Sequence, residues 1–257
     1  MGLDKGTRIH AGEGSRVRRT ATNDDRSTLH PVDSPDDSVA RRFAELINRP
    51  VSDRHLDLLC GLVAATMDHK ADVGSVILRL DEVARTCPAT FEGITDTLFA
   101  SGLFTGDTDD YEDPRNSLIH EVLARGKGMP ITLSVVAIEV GKRLDVPIVG
   151  VGLPGHFVIR DSQSDMYADP FGHGVRYDEA GMIDSWRARM AGAAFHRSML
   201  ATTPAREIVL RILNNLKHSL LARDQPVLLA RLAKLRAAFP ELEDEAAERR
   251  TWMRHFN

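Results

Sequence analysis

The run Gly128-Met129-Pro130-Ile131-Thr132-Leu133-Ser134-Val135-Val136-Ala137-Ile138-Glu139-Val140-Gly141-Lys142-Arg143-Leu144, with Pro147-Ile148-Val149-Gly150-Val151-Gly152-Leu153-Pro154-Gly155-His156-Phe157-Val158-Ile159-Arg160 close behind it, sets the architecture. Its first half is apolar nearly all round at helical spacing, the pattern of a central helix. Pro130 suits the opening turn, where the N–H it lacks would be unpaired anyway. Its second half changes period. Residues 147–153, 156–160 and 166–169 read as short strands rich in Val, Ile and aromatics, separated by turns at Pro154-Gly155 and Asp161-Ser162-Gln163-Ser164.

Outward from this centre the signals are helical. Upstream, Val39, Phe43, Leu46 and Ile47 fall on one face, and a second helix with Leu56, Leu59, Leu62, Val63 and Met67 is expected to start near Ser52-Asp53. A third is predicted over 73–85, closed by Pro88. A fourth over 89–101 has Ile94, Leu98 and Phe99 together, with Gly102 as breaker. A short helix over 118–125 ends at Gly126. Downstream, residues 205–223 and 226–239 form two amphipathic helices joined by Asp224-Gln225, a hairpin with no second copy to make a solenoid. Helices before and after a small antiparallel sheet are an α+β order.

Composition narrows the function classes. The 257 residues can enclose a sizeable core, and 33 Lys plus Arg against 37 Asp plus Glu give a net charge of -4, which offers no broad cationic field for nucleic acid. No run approaches the length needed to span a membrane, and Met1-Gly2-Leu3-Asp4-Lys5 opens without an apolar signal, so a cytoplasmic location is expected. Cys60 and Cys87 form no CxxC pair, which argues against a thiolate metal site. Residues 1–38 hold few apolar side chains and no period, and are expected to be a disordered tail.

The strongest chemical signal is His156 with Asp169. If the loop between their strands is 161–164, Arg160 faces Asp165 and the same register sets His156 opposite Asp169 on one face of the sheet. A carboxylate there fixes the imidazole tautomer and raises its basicity; it also makes an ordinary structural hydrogen bond, and spacing alone does not separate the two. A one-residue slip would part the pair. Asn116-Ser117 follows Asp113-Pro114, so Ser117 reads as a helix cap, while Asn116 reads as either turn residue or pocket wall.

Asn116-Ser117, Gly128-Met129-Pro130-Ile131-Thr132-Leu133-Ser134, Gly150-Val151-Gly152-Leu153-Pro154-Gly155-His156-Phe157 and Ala168-Asp169-Pro170-Phe171 together resemble SirB-type proteins of the transglutaminase-like superfamily. The likeness extends to Arg211-Ile212-Leu213-Asn214-Asn215-Leu216-Lys217, which is similar to that family's tetratricopeptide-like tail. It implies a papain-like layout: a cysteine at the N-terminus of the central helix, then a His and an Asp on adjacent strands. His156 and Asp169 match the last two. Counting back from Asp145-Val146-Pro147, the cysteine position falls on Pro130. The thiol whose pKa a helix N-terminus would lower is therefore missing.

Substitutes are weak by geometry. Thr132 lies about 200° around the helix from Pro130, and Ser134, on nearly the same face, is about 6 Å deeper. Cys60, amid Leu58, Leu59 and Leu62, reads as a buried small hydrophobe, and nothing brings Cys87 near His156. His156, Asp169 and His173 could form a set of two His and one carboxylate for a metal, although His173 between Gly172 and Gly174 reads as a solvated turn residue.

The expectation is an α+β chain divided into a tail at 1–38, a helical portion at 39–110, a papain-like core at 111–203 and a tetratricopeptide-like portion at 204–257. Its function is expected to be that of a catalytically silent binding module with a regulatory role. It would take a peptide, protein or small ligand through Asn116, Pro130, Ser134, His156 and Asp169, without cofactor or metal. The alternative is an amide hydrolase or transferase that uses a hydroxyl or a metal with the His156 and Asp169 pair. A third reading makes the cleft vestigial and the C-terminal helical pair the interaction surface.

Overall fold

The computed structural model describes residues 35–50, 55–190 and 193–245. The chain opens with α1 (Pro35–Ile47), α2 (Leu56–Met67), α3 (Val73–Arg85) and α4 (Phe91–Thr95), the last continuing as one wide turn, Asp96–Ala100. The third helix matches its predicted span. The fourth does not run as one regular helix: α4 is capped by the Thr90 hydroxyl, which accepts from Gly93 N–H, and the wide turn carries Leu98 and Phe99 into the core. Helix α1 begins at Pro35, so the last four residues of the expected tail are helical, and residues 1–34 lie outside the described ones. The expected cap at Ser52-Asp53 also lies outside them; α2 starts after His55, which makes no capping hydrogen bond.

A two-residue strand β1 (Thr105–Gly106) pairs in parallel with β2 (Lys127–Gly128), and between them lie a single tight turn (Pro114–Ser117) and α5 (Ile119–Arg125). Gly126 ends α5 with φ 69°, the left-handed geometry that favours glycine, and the Leu103 carbonyl oxygen would sit 2.7 Å from any Cβ there. This clasp delivers the chain to α6 (Pro130–Arg143), with Met129 at the cap position and Pro130 at the first helical position as predicted. Helix α6 is buried on almost every side and packs against α2, α3, α4, α5, the sheet and the first of the two C-terminal helices. One hydrophobic cluster runs from Phe43 and Leu59 through Leu133, Val136 and Val140 to Leu213, Leu216 and Phe239.

The sheet follows as an antiparallel meander of β3 (Ile148–Val151), β4 (Val158–Asp161), β5 (Tyr167–Asp169) and β6 (Val175–Tyr177). Alternation divides its faces: Ile159 and its partner Ala168 turn to the α6 side, while Val158 and Tyr167 join Met182 and Trp186 of α7 (Glu179–Arg189). Neither β6 nor α7 was expected from the sequence. After a tight turn (Arg197–Leu200), α8 (Ala205–Ala222) and α9 (Pro226–Arg236) form the expected hairpin, followed by Pro240–Glu245. The hairpin packs on α1, α2 and α6, closing the helical side of the molecule.

The expected register is corrected by two residues. Arg160 pairs with Tyr167, not Asp165, and Ile159 pairs with Ala168. The turn shifts because Asp161 organises it. Its carboxylate accepts from Gln163 N–H, Ser164 N–H and the Ser164 hydroxyl, and its backbone N–H bonds the Met166 carbonyl, leaving four residues in the loop. Because side chains alternate with period two, a two-residue shift leaves the same residues on the same face.

Candidate functional site

His156 lies just before β4 and Asp169 ends β5. Asp169 belongs to the α7 face of the sheet, so α7 can reach it. His156 Nε2 bonds Asp169 Oδ2 at 2.9 Å, and Arg189 Nη2, from the last turn of α7, donates to the same oxygen at 2.7 Å. The other oxygen accepts from the backbone N–H groups of Phe171 and Gly172, both at 3.1 Å. The Asp169 side chain is 1% exposed and that of His156 9%. Burial opposes the charged carboxylate, but the hydrogen bond and charge of His156, then those of Arg189, outweigh it and bring the Asp169 pKa down to about 2. The imidazole is thus oriented through Nε2.

That cleft is a cavity of about 260 Å³. Pro130 and Ile131, at the N-terminus of α6, form one wall, and Gly155, His156 and Phe157 form another. Tyr111, Arg211 and Asn215 complete it. Tyr111 stands edge-on to Phe171, ring centroids 5.8 Å apart, and burial raises its phenol pKa. Its loop is tied down by Arg223, just past α8, whose Nη2 reaches Asp110 Oδ2 at 2.6 Å. Arg211 Nη2 donates to the carbonyls of Leu153 and His156, both at 3.1 Å, which holds the Pro154-Gly155 turn against α8.

The structure brings Pro130 and His156 to one cavity with Asp169 behind, and it removes the other predicted binding residues from the lining. Ser134 is fully buried, and its hydroxyl donates to the Pro130 carbonyl at 2.8 Å, a bond within the helix. Asn116 is also fully buried: Nδ2 donates to the Asp110 carbonyl at 2.8 Å, Oδ1 accepts from Arg125 Nη2 at 3.2 Å, and its backbone carbonyl accepts from Met129 N–H. It braces the entry to α6. Ser117 is not the cap of α5; Leu118 holds that position without a side-chain bond, and the Ser117 hydroxyl donates to Met129 Sδ at 3.0 Å. Thr132 is buried away from the cavity.

The metal set fails on geometry. His173 is exposed in a left-handed turn, φ 56°, and Asp169 is saturated by a histidine, an arginine and two backbone donors. Among the described residues, the three-donor group whose ligand atoms lie within 4.8 Å of one another is Asp68, His120 and Glu121, after α2 and on α5. The thiols stay outside as well. Cys60 is buried in the core, where desolvation first and then Glu139 and Asp57 push its pKa up, and half-buried Cys87 bonds the Val83 carbonyl. Sequence reading missed Tyr111, Arg189, Arg211 and Asn215 as site residues. Only Arg211 and Asn215 carried a local signal, being polar, one helical turn apart, and set among Ile208, Ile212 and Leu216.

Comparison with known proteins matches residues 53–214 to a family described as the transglutaminase-like superfamily. A UPF0162 protein of Xylella fastidiosa is 38% identical over 141 residues, covering 52% of this chain and 50% of its own length. A UPF0162 protein of Pseudomonas aeruginosa is 33% identical over 117 residues, 46% of this chain and 38% of its own. F-box only protein 21 of Homo sapiens is 26% identical over 157 residues, 57% of this chain and 23% of its own. The chain spans about half the length of the first of these relatives. No solved structure matches. Among the described residues, no helix is long and apolar enough to cross a membrane.

Proposed function

The chain belongs to the transglutaminase-like superfamily, and from that premise we propose that it is a non-catalytic member whose cleft binds a peptide segment or small ligand in a regulatory role. One observation carries this reading: among the described residues the cavity beside the His156 and Asp169 pair is lined by no Cys, Ser or Thr side chain, and Pro130 stands where the superfamily resemblance puts the thiol. A base without a nucleophile to activate does not start acyl transfer. What the cleft retains is an oriented imidazole, a guanidinium, an amide and a phenol around apolar walls, the composition of a recognition site.

In this reading residues 111–203 supply the papain-like part of the cleft and the helices of residues 204–257 close it, in keeping with a SirB-type chain whose tail is tetratricopeptide-like. The single hairpin of α8 and α9 supports that comparison. The ligand is a peptide or protein segment or a small molecule, and the setting is the cytoplasm.

The test is mass spectrometry of a complex peptide pool incubated with the wild-type chain and with His156→Ala, scoring cleavage, deamidation and glutamine cross-linking. The same pool is passed over each protein in immobilised form. Retention by wild type that His156→Ala weakens, with the variant still folded and no product, is the expected result. A product made only by the wild type would overturn the proposal.

A further inference from the structure

Arg211 is a half-buried cation with no carboxylate partner among the described residues. The contrast with comparable arginines is sharp. Arg125 pairs with Asp107, Arg143 with Asp57, Asp81 and Glu139, and Arg189 with Asp169. Arg211 instead gives one nitrogen, Nη2, to two backbone carbonyls and packs its guanidinium over the Phe157 ring, 5.1 Å from the centroid. These contacts fix the guanidinium through Nη2 and leave donors over: Nε and Nη1 have no acceptor among the described residues, and neither is sealed from solvent. Burial pulls the Arg211 pKa below the ordinary arginine value, against the upward push of Glu207 and Tyr111. A partly desolvated charge held in place without a hydrogen-bonded counter-charge is costly unless something supplies one.

Nothing in the rest of the cavity offsets this charge. Among the described residues no acidic side chain lines it, although the chain as a whole carries a net charge of -4. Pro130 and Ile131 bring in the first turn of α6, where unpaired N–H groups and the helix dipole favour negative charge. Asn215, one turn along α8 from Arg211, and the Tyr111 hydroxyl are further hydrogen-bond donors. The approach of the guanidinium is built into the backbone at Gly152, where a Cβ would collide with Arg211 Nη1 and lie 2.9 Å from Thr203 Oγ1.

We infer that this cavity recognises a carboxylate on a peptide ligand, with the Arg211 guanidinium as its principal partner. The inference rests on the proposed binding role of the cleft and specifies the ligand. Among the described residues Arg211 is the one guanidinium or ammonium side chain lining the cavity, so a singly charged carboxylate is matched by a charge-assisted hydrogen bond from an open nitrogen, whereas a phosphate dianion would meet only one cation here. The carboxylate comes from a peptide C-terminus or from an internal Asp or Glu.

The experiment uses the full chain and a random hexapeptide library synthesised in three arms: free C-terminal acids, the same sequences as C-terminal amides, and amides containing one Glu. Affinity selection with wild type is expected to enrich a carboxylate-bearing arm at least about tenfold over the plain amides, with the favoured arm identifying the source. Arg211→Gln is expected to abolish that preference while leaving residual amide binding in place. Because Arg211 also holds two carbonyls, Arg211→Lys and the salt dependence of wild-type binding serve if Arg211→Gln unfolds. Lys keeps the charge and loses the guanidinium, and is expected to fall between. Acid and amide peptides retained equally, with retention sensitive to His156→Ala, would overturn the carboxylate inference and leave the binding role standing. Absence of retention in every arm would overturn both, and competition by inorganic phosphate stronger than by acetate would replace carboxylate by phosphate.

Discussion

Replacing Asp169 with Asn keeps the shape of the side chain and removes its charge, so the cost depends on pH in a way that cavity formation would not. The native carboxylate accepts from His156, Arg189 and the backbone of Phe171 and Gly172. With its pKa brought from 3.8 to about 2, and about 1.4 kcal/mol per unit, ionised Asp169 contributes about 2 kcal/mol to stability at neutral pH. Because the folded pKa lies below the unfolded one, this contribution is complete above about pH 5, falls to about half near pH 3, and is lost below about pH 2. Urea unfolding of wild type and Asp169→Asn at about pH 7, 5 and 3, analysed with a common m value, measures it as a difference. The gap is expected to be about 2 kcal/mol or more at neutral pH, since the Asn amide also turns a donor toward Arg189 or His156, and to shrink by about 1 kcal/mol at the acid end. A gap that stays constant over this range would refute the reasoning, because it would mean that the ionised form has no special partners in the fold.

Ser134→Ala is expected to lower stability by about 1 kcal/mol or less in thermal melts, because its hydroxyl serves only a bond within α6. It is also expected to leave peptide retention unchanged; a Ser134→Ala loss of retention would show that the hydroxyl reaches the ligand. Gly152→Ala is expected to cost about 1–3 kcal/mol by displacing Arg211 and Thr203, and to weaken acid-peptide binding along with it, measured by melting and by affinity on the same preparation.

Much of the architecture was legible because its causes are local. The helix at 73–85, the proline at the start of α6 and the glycine that ends α5 follow from side-chain period and from backbone angles available to single residues. The pairing of His156 with Asp169 also came through, although the register was wrong by two, because the face of a strand depends only on parity. The turn itself was misread: a carboxylate that organises three donors, as Asp161 does, looks in sequence like any polar loop residue. Ser134 was legible in principle, since a buried helical serine tends to bond the carbonyl four residues back.

The sequence by itself thus determined the order of elements, the central helix, the proline at its first turn and the facing pair of His156 and Asp169, all set by interactions between near neighbours or by strand alternation. Tertiary structure alone decided what surrounds that pair. Arg189 arrives from twenty residues beyond Asp169, Arg211 reaches a carbonyl fifty-five residues before it, and the loop carrying Tyr111 is pinned from Arg223. Whether a polar side chain is free for a ligand or committed to the fold depends on which partners the packing delivers. Asn116 is wholly committed and Arg211 only through Nη2, and no spacing along the chain distinguishes them.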